Sequence, residues 1–208
     1  MHPRSMKKLL RLLRLIVCLL SSPAFAVDLN NTRYQDFDQS LGHGWRALAD
    51  QKRFVEAARL IEAFLGEHPE LEARNRANLD FHAAQCLAFE GSAASIAEAL
   101  AHLRDSHVNP EPPELPIRWN DYVTATEAFL KGDLPVLKAA RDRIAAGPKW
   151  NGELVNLEVV DKLISKFGKS YAEAYGMKTS KEQKAVVRPS EAPGTQPWRI
   201  PPSGTVMK

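Results

Sequence analysis

The chain has 208 residues, 44% of them hydrophobic, with 28 Lys and Arg against 25 Asp and Glu, a formal net charge of +3 and two cysteines. Five of the basic residues and no acid lie in the first 26, so a chain without that segment carries a net charge of −2, and general nucleic-acid binding loses its electrostatic support. Cys18 leaves with the segment and strands Cys86, which excludes an intramolecular disulfide and leaves the fold to its core.

Residues 1–26 read as a secretory signal. Arg4, Lys7, Lys8, Arg11 and Arg14 supply the charge, Leu15 to Leu20 form a short apolar run, and Pro23-Ala24-Phe25-Ala26 ends in small-x-small. Cleavage is expected after Ala26. The run is well short of the roughly 20 apolar residues a membrane span needs. The expectation is an exported protein, in the periplasm or secreted, with no stable membrane insertion after cleavage. Val17 stands before Cys18 where lipidation would want a small residue.

From residue 27 to 175 the hydrophobic spacing is helical, with no alternating strand pattern. Phe37, Leu41, Trp45 and Leu48 mark one face of a first helix. Phe54, Ala57, Ala58, Ile61, Phe64 and Leu65 mark a second, closed by Pro69. Ala73, Ala77, Phe81, Ala84 and Ala88 mark a third that ends near Gly91. Leu79, Cys86 and Phe89 give the third an apolar second face, as expected of a helix packed on both sides. Ile96, Leu100 and Leu103 mark a fourth.

Asn109 to Pro116 holds four prolines in eight residues and cannot be helix. Tyr122, Ala125 and Phe129 mark a fifth helix that stops at Gly132. Asp133 is the expected N-cap of a sixth, through Leu137 and Ile144, broken at Gly147-Pro148. Leu154, Leu157, Val160, Ile164 and Phe167 mark a seventh, and Tyr171 to Tyr175 a short eighth. Residues 176–208 hold five prolines with six basic and two acidic residues, and read as a disordered, Pro-rich basic tail.

The helices alternate with short breaks, as paired hairpins do. Arg53-Phe54-Val55-Glu56-Ala57 and Ser170-Tyr171-Ala172-Glu173-Ala174 share an aromatic-x-Glu-Ala core, and in the first Pro69 follows twelve residues after the alanine. This resembles the second half of a tetratricopeptide repeat, where a small residue lets paired helices approach and a proline ends the unit. Gly132-Asp133-Leu134 with Pro148 is similar, although Leu137 stands in the alanine's place, and the second hairpin fits its register at either Ala97 or Ala99. Trp119-Asn120-Asp121-Tyr122-Val123 with Ala125-Thr126 is also similar to stretches of exported bacterial proteins with no assigned activity. The resemblance implies an all-α fold, a right-handed stack of about four antiparallel helical hairpins in a tetratricopeptide-like α-solenoid, over residues 27–175. It implies no catalytic residue.

Few residues point to chemistry. His82 and Cys86 stand four apart on one helix, a spacing that can bring imidazole and thiolate to a metal, but they share a face with Leu79 and Phe89. Two ligands do not make a closed zinc site, and His43, His68, His102 and His107 add no ligand-like spacing, so no metal site and no cofactor are expected. There is no Cys-x-x-Cys-His, Gly-x-Ser-x-Gly, His-Glu-x-x-His or phosphate-cradling glycine loop. Glu111 and Glu114 flank the proline loop as a carboxylate pair, and two acids on a solvated loop ordinarily only solubilise it.

The leading reading is a non-catalytic binding module for a protein or peptide of the cell envelope. Stacked hairpins leave the first helix of each pair along one concave face. The repeat register places Gln39, His43 and Arg46 there, then His82, Glu90, Arg118, Trp119, Tyr122 and Thr126. Arg118 and Trp119 are of the residue types that dominate binding hot spots, and the alternative place for Trp119 is the core, packed on the next hairpin. Trp198 and Arg199, in Pro197-Trp198-Arg199-Ile200-Pro201-Pro202, are a candidate docking segment of the tail. The alternatives are a helical-bundle enzyme or small-ligand binder with a pocket near His82, and a structural subunit of an envelope complex.

Overall fold

The structure, a computed structural model, describes residues 28–112 and 115–176. The expected signal segment, Glu114 and the tail with Trp198 and Arg199 lie outside the described residues. Among those described there are nine α-helices and no strand. They are α1 (Tyr34–Asp38), α2 (Gly44–Asp50), α3 (Phe54–Glu67), α4 (Ala73–Glu90), α5 (Ala93–Asp105), α6 (Trp119–Lys131), α7 (Leu134–Ala145), α8 (Leu157–Ser165) and α9 (Tyr171–Tyr175). A single 3-10 turn, Leu29–Asn31, precedes them.

Most boundaries have a local cause. The Asp133 side chain caps α7 by accepting from the Val136 N–H at 3.0 Å, satisfying a donor the helix itself leaves free. Ser170 and Glu173 close a reciprocal capping box on α9. The Pro-rich stretch carries no helix among its described residues.

The expected first helix is two. Phe37 and Trp45 are buried as their spacing requires, but Leu41 between them is 45% exposed. Gly42 and Gly44 take φ of +71° and +53°, left-handed values that glycine adopts without strain and that break the helix. A Cβ on Gly44 would also stand 3.1 Å from the Phe37 carbonyl oxygen. The seventh expected helix starts late, at Leu157. Trp150 and Glu153 exchange backbone hydrogen bonds of 2.8 and 2.9 Å, and Asn156 sits at φ +69°, so Leu154 precedes the helix.

Helices adjacent in sequence pack on one another, as α3 on α4, α4 on α5 and α6 on α7. The centre is α4, whose residues from Ala77 to Ala88 are all buried. A helix buried on every side needs neighbours all round, and α4 has them. Beyond α3 and α5, Phe81 meets Trp119 and Tyr122 of α6 at ring distances of 5.2 and 4.9 Å. The short α9 returns to α4: Gln85 Nε2 donates to the hydroxyls of Tyr171 and Tyr175, both at 3.2 Å, and Phe89 packs against both rings. At the other end α1 lies on α4 through Tyr34 and Asp38.

Candidate functional site

The densest polar cluster centres on Asp38, a fully buried carboxylate at the end of α1. Its Oδ1 accepts from His82 Nδ1 at 2.9 Å, Trp45 Nε1 at 3.3 Å and an Arg46 Nη at 3.5 Å. Its Oδ2 accepts from Asn78 Nδ2 at 3.0 Å, from the Tyr34 hydroxyl at 3.2 Å and from Gln39 Nε2. Arg46 Nε donates to the Asp38 backbone carbonyl, and its guanidinium lies 4.2 Å over the Trp45 ring. Burial pushes the Asp38 carboxyl up, but His82 and Arg46 together pull it below the usual carboxylate range. Burial pulls Arg46 down in turn. Two charges taken from water are tolerable only with this density of partners.

Asp38, His82 and Cys86 thus stand as acid, imidazole and thiol, with Cys86 one turn beyond His82 on α4. The group that would have to react is not reactive. Cys86 is 2% exposed, and burial pushes its thiol up to about 12. Nucleophilic cysteines need a thiolate and a path to substrate, and Cys86 has neither. Its burial agrees with its place in the stripe with Leu79 and Phe89.

The nine residues expected along the inner face divide. His43, Glu90 and Arg118 are exposed and Gln39 is half-buried, whereas Arg46, His82, Trp119, Tyr122 and Thr126 are buried. The buried five face the interior. Arg46 and His82 bond Asp38 of α1, and Trp119 Nε1 donates to the Ser106 carbonyl at 2.7 Å. Tyr122 shares its polar contacts with Tyr175 and Gln85, and burial raises its hydroxyl well above the ordinary tyrosine value. Thr126 donates to its own helix at Tyr122 and faces Tyr171. On α4 and α6 these side chains meet α1 and α9.

A second polar cluster, absent from the sequence expectations, joins three helices. His102 of α5 places Nδ1 3.0 Å from Asp80 of α4 and Nε2 3.1 Å from Glu62 of α3. Arg59 of α3 bridges Glu62 at 2.7 Å and Glu98 at 2.6 Å. An open groove beside it is bordered by Glu62, Leu65, Arg76, Asp80 and Asp105.

A depression of about 420 Å³ lies between the proline loop and the end of α7. Pro112, Leu115, Ile117 and Pro148 contribute its apolar part, Leu115 and Ile117 being themselves buried, and Glu111 and Arg118 give it charge, so that its lining is mainly polar. Glu111 is engaged, its Oε1 accepting the Asn120 N–H at 2.8 Å near the start of α6. Arg118 makes no ion pair among the described residues. Its side chain is laid across Gly147: a Cβ there would come within 2.6 Å of Arg118 Cγ and 3.3 Å of its Nε. The glycine therefore makes room for an arginine whose stem is packed and whose residue is exposed. Arg118 was expected on an inner face; its signal in the sequence as part of this depression is the Gly147-Pro148 pair, which reads there only as a helix stop. Among the described residues no group of three or more His, Cys, Asp or Glu is placed to hold a metal ion. No protein-family model matches the chain, and neither a curated protein nor a solved structure matches it.

Proposed function

We propose that the protein is an exported, non-catalytic binding module that holds a protein or peptide of the cell envelope at the depression beside Arg118. One observation carries the reading. Asp38, His82 and Cys86 are engaged inside the fold, while Arg118 stands exposed, its stem against Gly147, at the edge of a depression of mixed polarity, and makes no ion pair among the described residues. An exposed arginine with its stem packed, beside a depression of mixed polarity, has the makings of a binding anchor, because part of its side-chain entropy is already lost. The partner class that suits it is a segment with an acidic group next to an apolar one. The helices are read as a degenerate stack of about four antiparallel hairpins, with α1 and α9 closing the inner side. Sequential packing and the return of α9 to α4 support that arrangement.

The test is site-specific photo-crosslinking in the native envelope, with p-benzoylphenylalanine at Ala146 on the rim and, as control, at Ala63 on the exposed side of α3. A discrete adduct from position 146 that is absent from position 63 and lost in the Arg118→Glu background is expected. No discrete adduct at 146, or one indifferent to Arg118→Glu, overturns the proposal.

A further inference from the structure

One imidazole ties α5 to two other helices. An ionised carboxylate only accepts hydrogen bonds, so a ring that satisfies both Asp80 and Glu62 carries a proton on each nitrogen. The neutral ring, in either tautomer, would aim a lone pair at one carboxylate oxygen. The side chains of His102, Asp80 and Glu62 are 17%, 11% and 31% exposed, so water is poorly placed to take over the Asp80 contact and reaches the Glu62 one more readily. The charged groups around the ring come from all three helices. Arg59 and Glu62 stand on α3, Arg76 and Asp80 on α4, and Glu98 and Asp105 on α5 itself. Arg76 is engaged with the carbonyls of Leu65 and His68, so the surroundings of the ring are predominantly acidic.

We propose that His102 is a pH-dependent clasp: as an imidazolium it locks α5 onto the α3–α4 pair, and on losing a proton it makes one of its two contacts repulsive and loosens the junction along the adjacent groove. This goes beyond the binding reading and does not rest on it.

The direction follows from the contacts. The bond to Asp80 raises the His102 pKa above the ordinary value, burial opposes this, and Glu62 adds to the rise. A group raised in the folded state contributes in full below its unfolded pKa and loses that contribution as pH climbs through the folded one. For Glu62, burial raises the pKa, but the bonds from Arg59 and His102 bring it below the ordinary value. Its contribution is present above the unfolded carboxylate value and is lost as pH falls through the depressed one. The clasp is closed between the ordinary carboxylate and histidine values, and opens once pH passes the raised histidine pKa.

Long-range ¹H–¹⁵N NMR of the ¹⁵N-histidine-labelled protein reads both ring nitrogens directly. At pH 6 His102 should be protonated on both, should titrate above the ordinary histidine value, and should titrate lower in both Glu62→Gln and Asp80→Asn. Amide exchange across α5, corrected for intrinsic rate, should quicken through that titration by about tenfold for each unit by which the folded pKa exceeds the unfolded one. His102→Gln should abolish the pH dependence. A singly protonated ring at pH 6, a titration at or below the ordinary value, or indifference to both carboxylate variants overturns the clasp. The wild-type spectrum decides the matter even if His102→Gln fails to fold.

Discussion

Asp38 and His82, 44 positions apart, share a 2.9 Å hydrogen bond that fastens the short N-terminal helices to the central one. Around it Arg46, Asn78, Trp45 and Tyr34 point at the same carboxylate. The cluster has the ingredients of a reactive site and the burial of a structural one.

Asp38→Ala leaves His82 and an Arg46 Nη buried without their carboxylate acceptor, while Arg46 Nε keeps the backbone carbonyl of position 38. The expected cost is about 3–5 kcal/mol, the usual range for breaking a buried charge pair by removing one partner. Urea denaturation at pH 7 measures it. Because the Asp38 pKa is lowered by folding, its contribution is present above the unfolded carboxylate value and is lost as pH falls through the folded one. Wild type should therefore lose stability on acidification below the ordinary Asp range more steeply than Asp38→Asn. Parallel acid profiles would contradict this.

Cys86 should label slowly with a thiol reagent under native conditions and at the ordinary rate in denaturant, since its thiol is buried and pushed up to about 12. Rapid native labelling at pH 8 would mean that α4 is open at its middle.

Gly147→Ala should force a local shift, because its Cβ would meet Arg118 Cγ at 2.6 Å and the Ile144 carbonyl oxygen at 3.1 Å. It should reduce the rim crosslink from position 146, since the guanidinium is displaced. An undiminished crosslink would show that Arg118 need not be held in place, and circular dichroism would separate that outcome from misfolding.

The middle of the fold is legible from local chemistry. Gly91 and Gly132 end α4 and α6, and Asp133 caps α7, each at the expected place. The start is not, because the spacing of Phe37, Leu41, Trp45 and Leu48 stays helical across a break made by Gly42 and Gly44. The polar clusters are less legible still. Asp38 is adjacent to Phe37, but among the side chains that bond it Asn78 and His82 come from α4, 40 and 44 positions away, and Trp45 and Arg46 from α2 across the glycine break, and no period announces them. His102 is likewise matched by acids 22 and 40 positions away. Repeat register would turn His82 and Tyr122 to one inner face, but it cannot foresee that the five-residue helices α1 and α9 bond them there.

One core, built around α4, joins both halves of the described chain. Phe81 touches Trp119 and Tyr122 across the proline-rich break and is 2% exposed, so Phe81→Ala should cost about 3–5 kcal/mol. The most direct measurement is urea denaturation of two single-tryptophan variants, one keeping Trp45 and the other Trp119, each with and without Phe81→Ala. Coincident midpoints that fall together on Phe81→Ala are the predicted result. Separate midpoints, or a shift confined to one probe, would mean that the halves fold independently and that α4 is not their common axis.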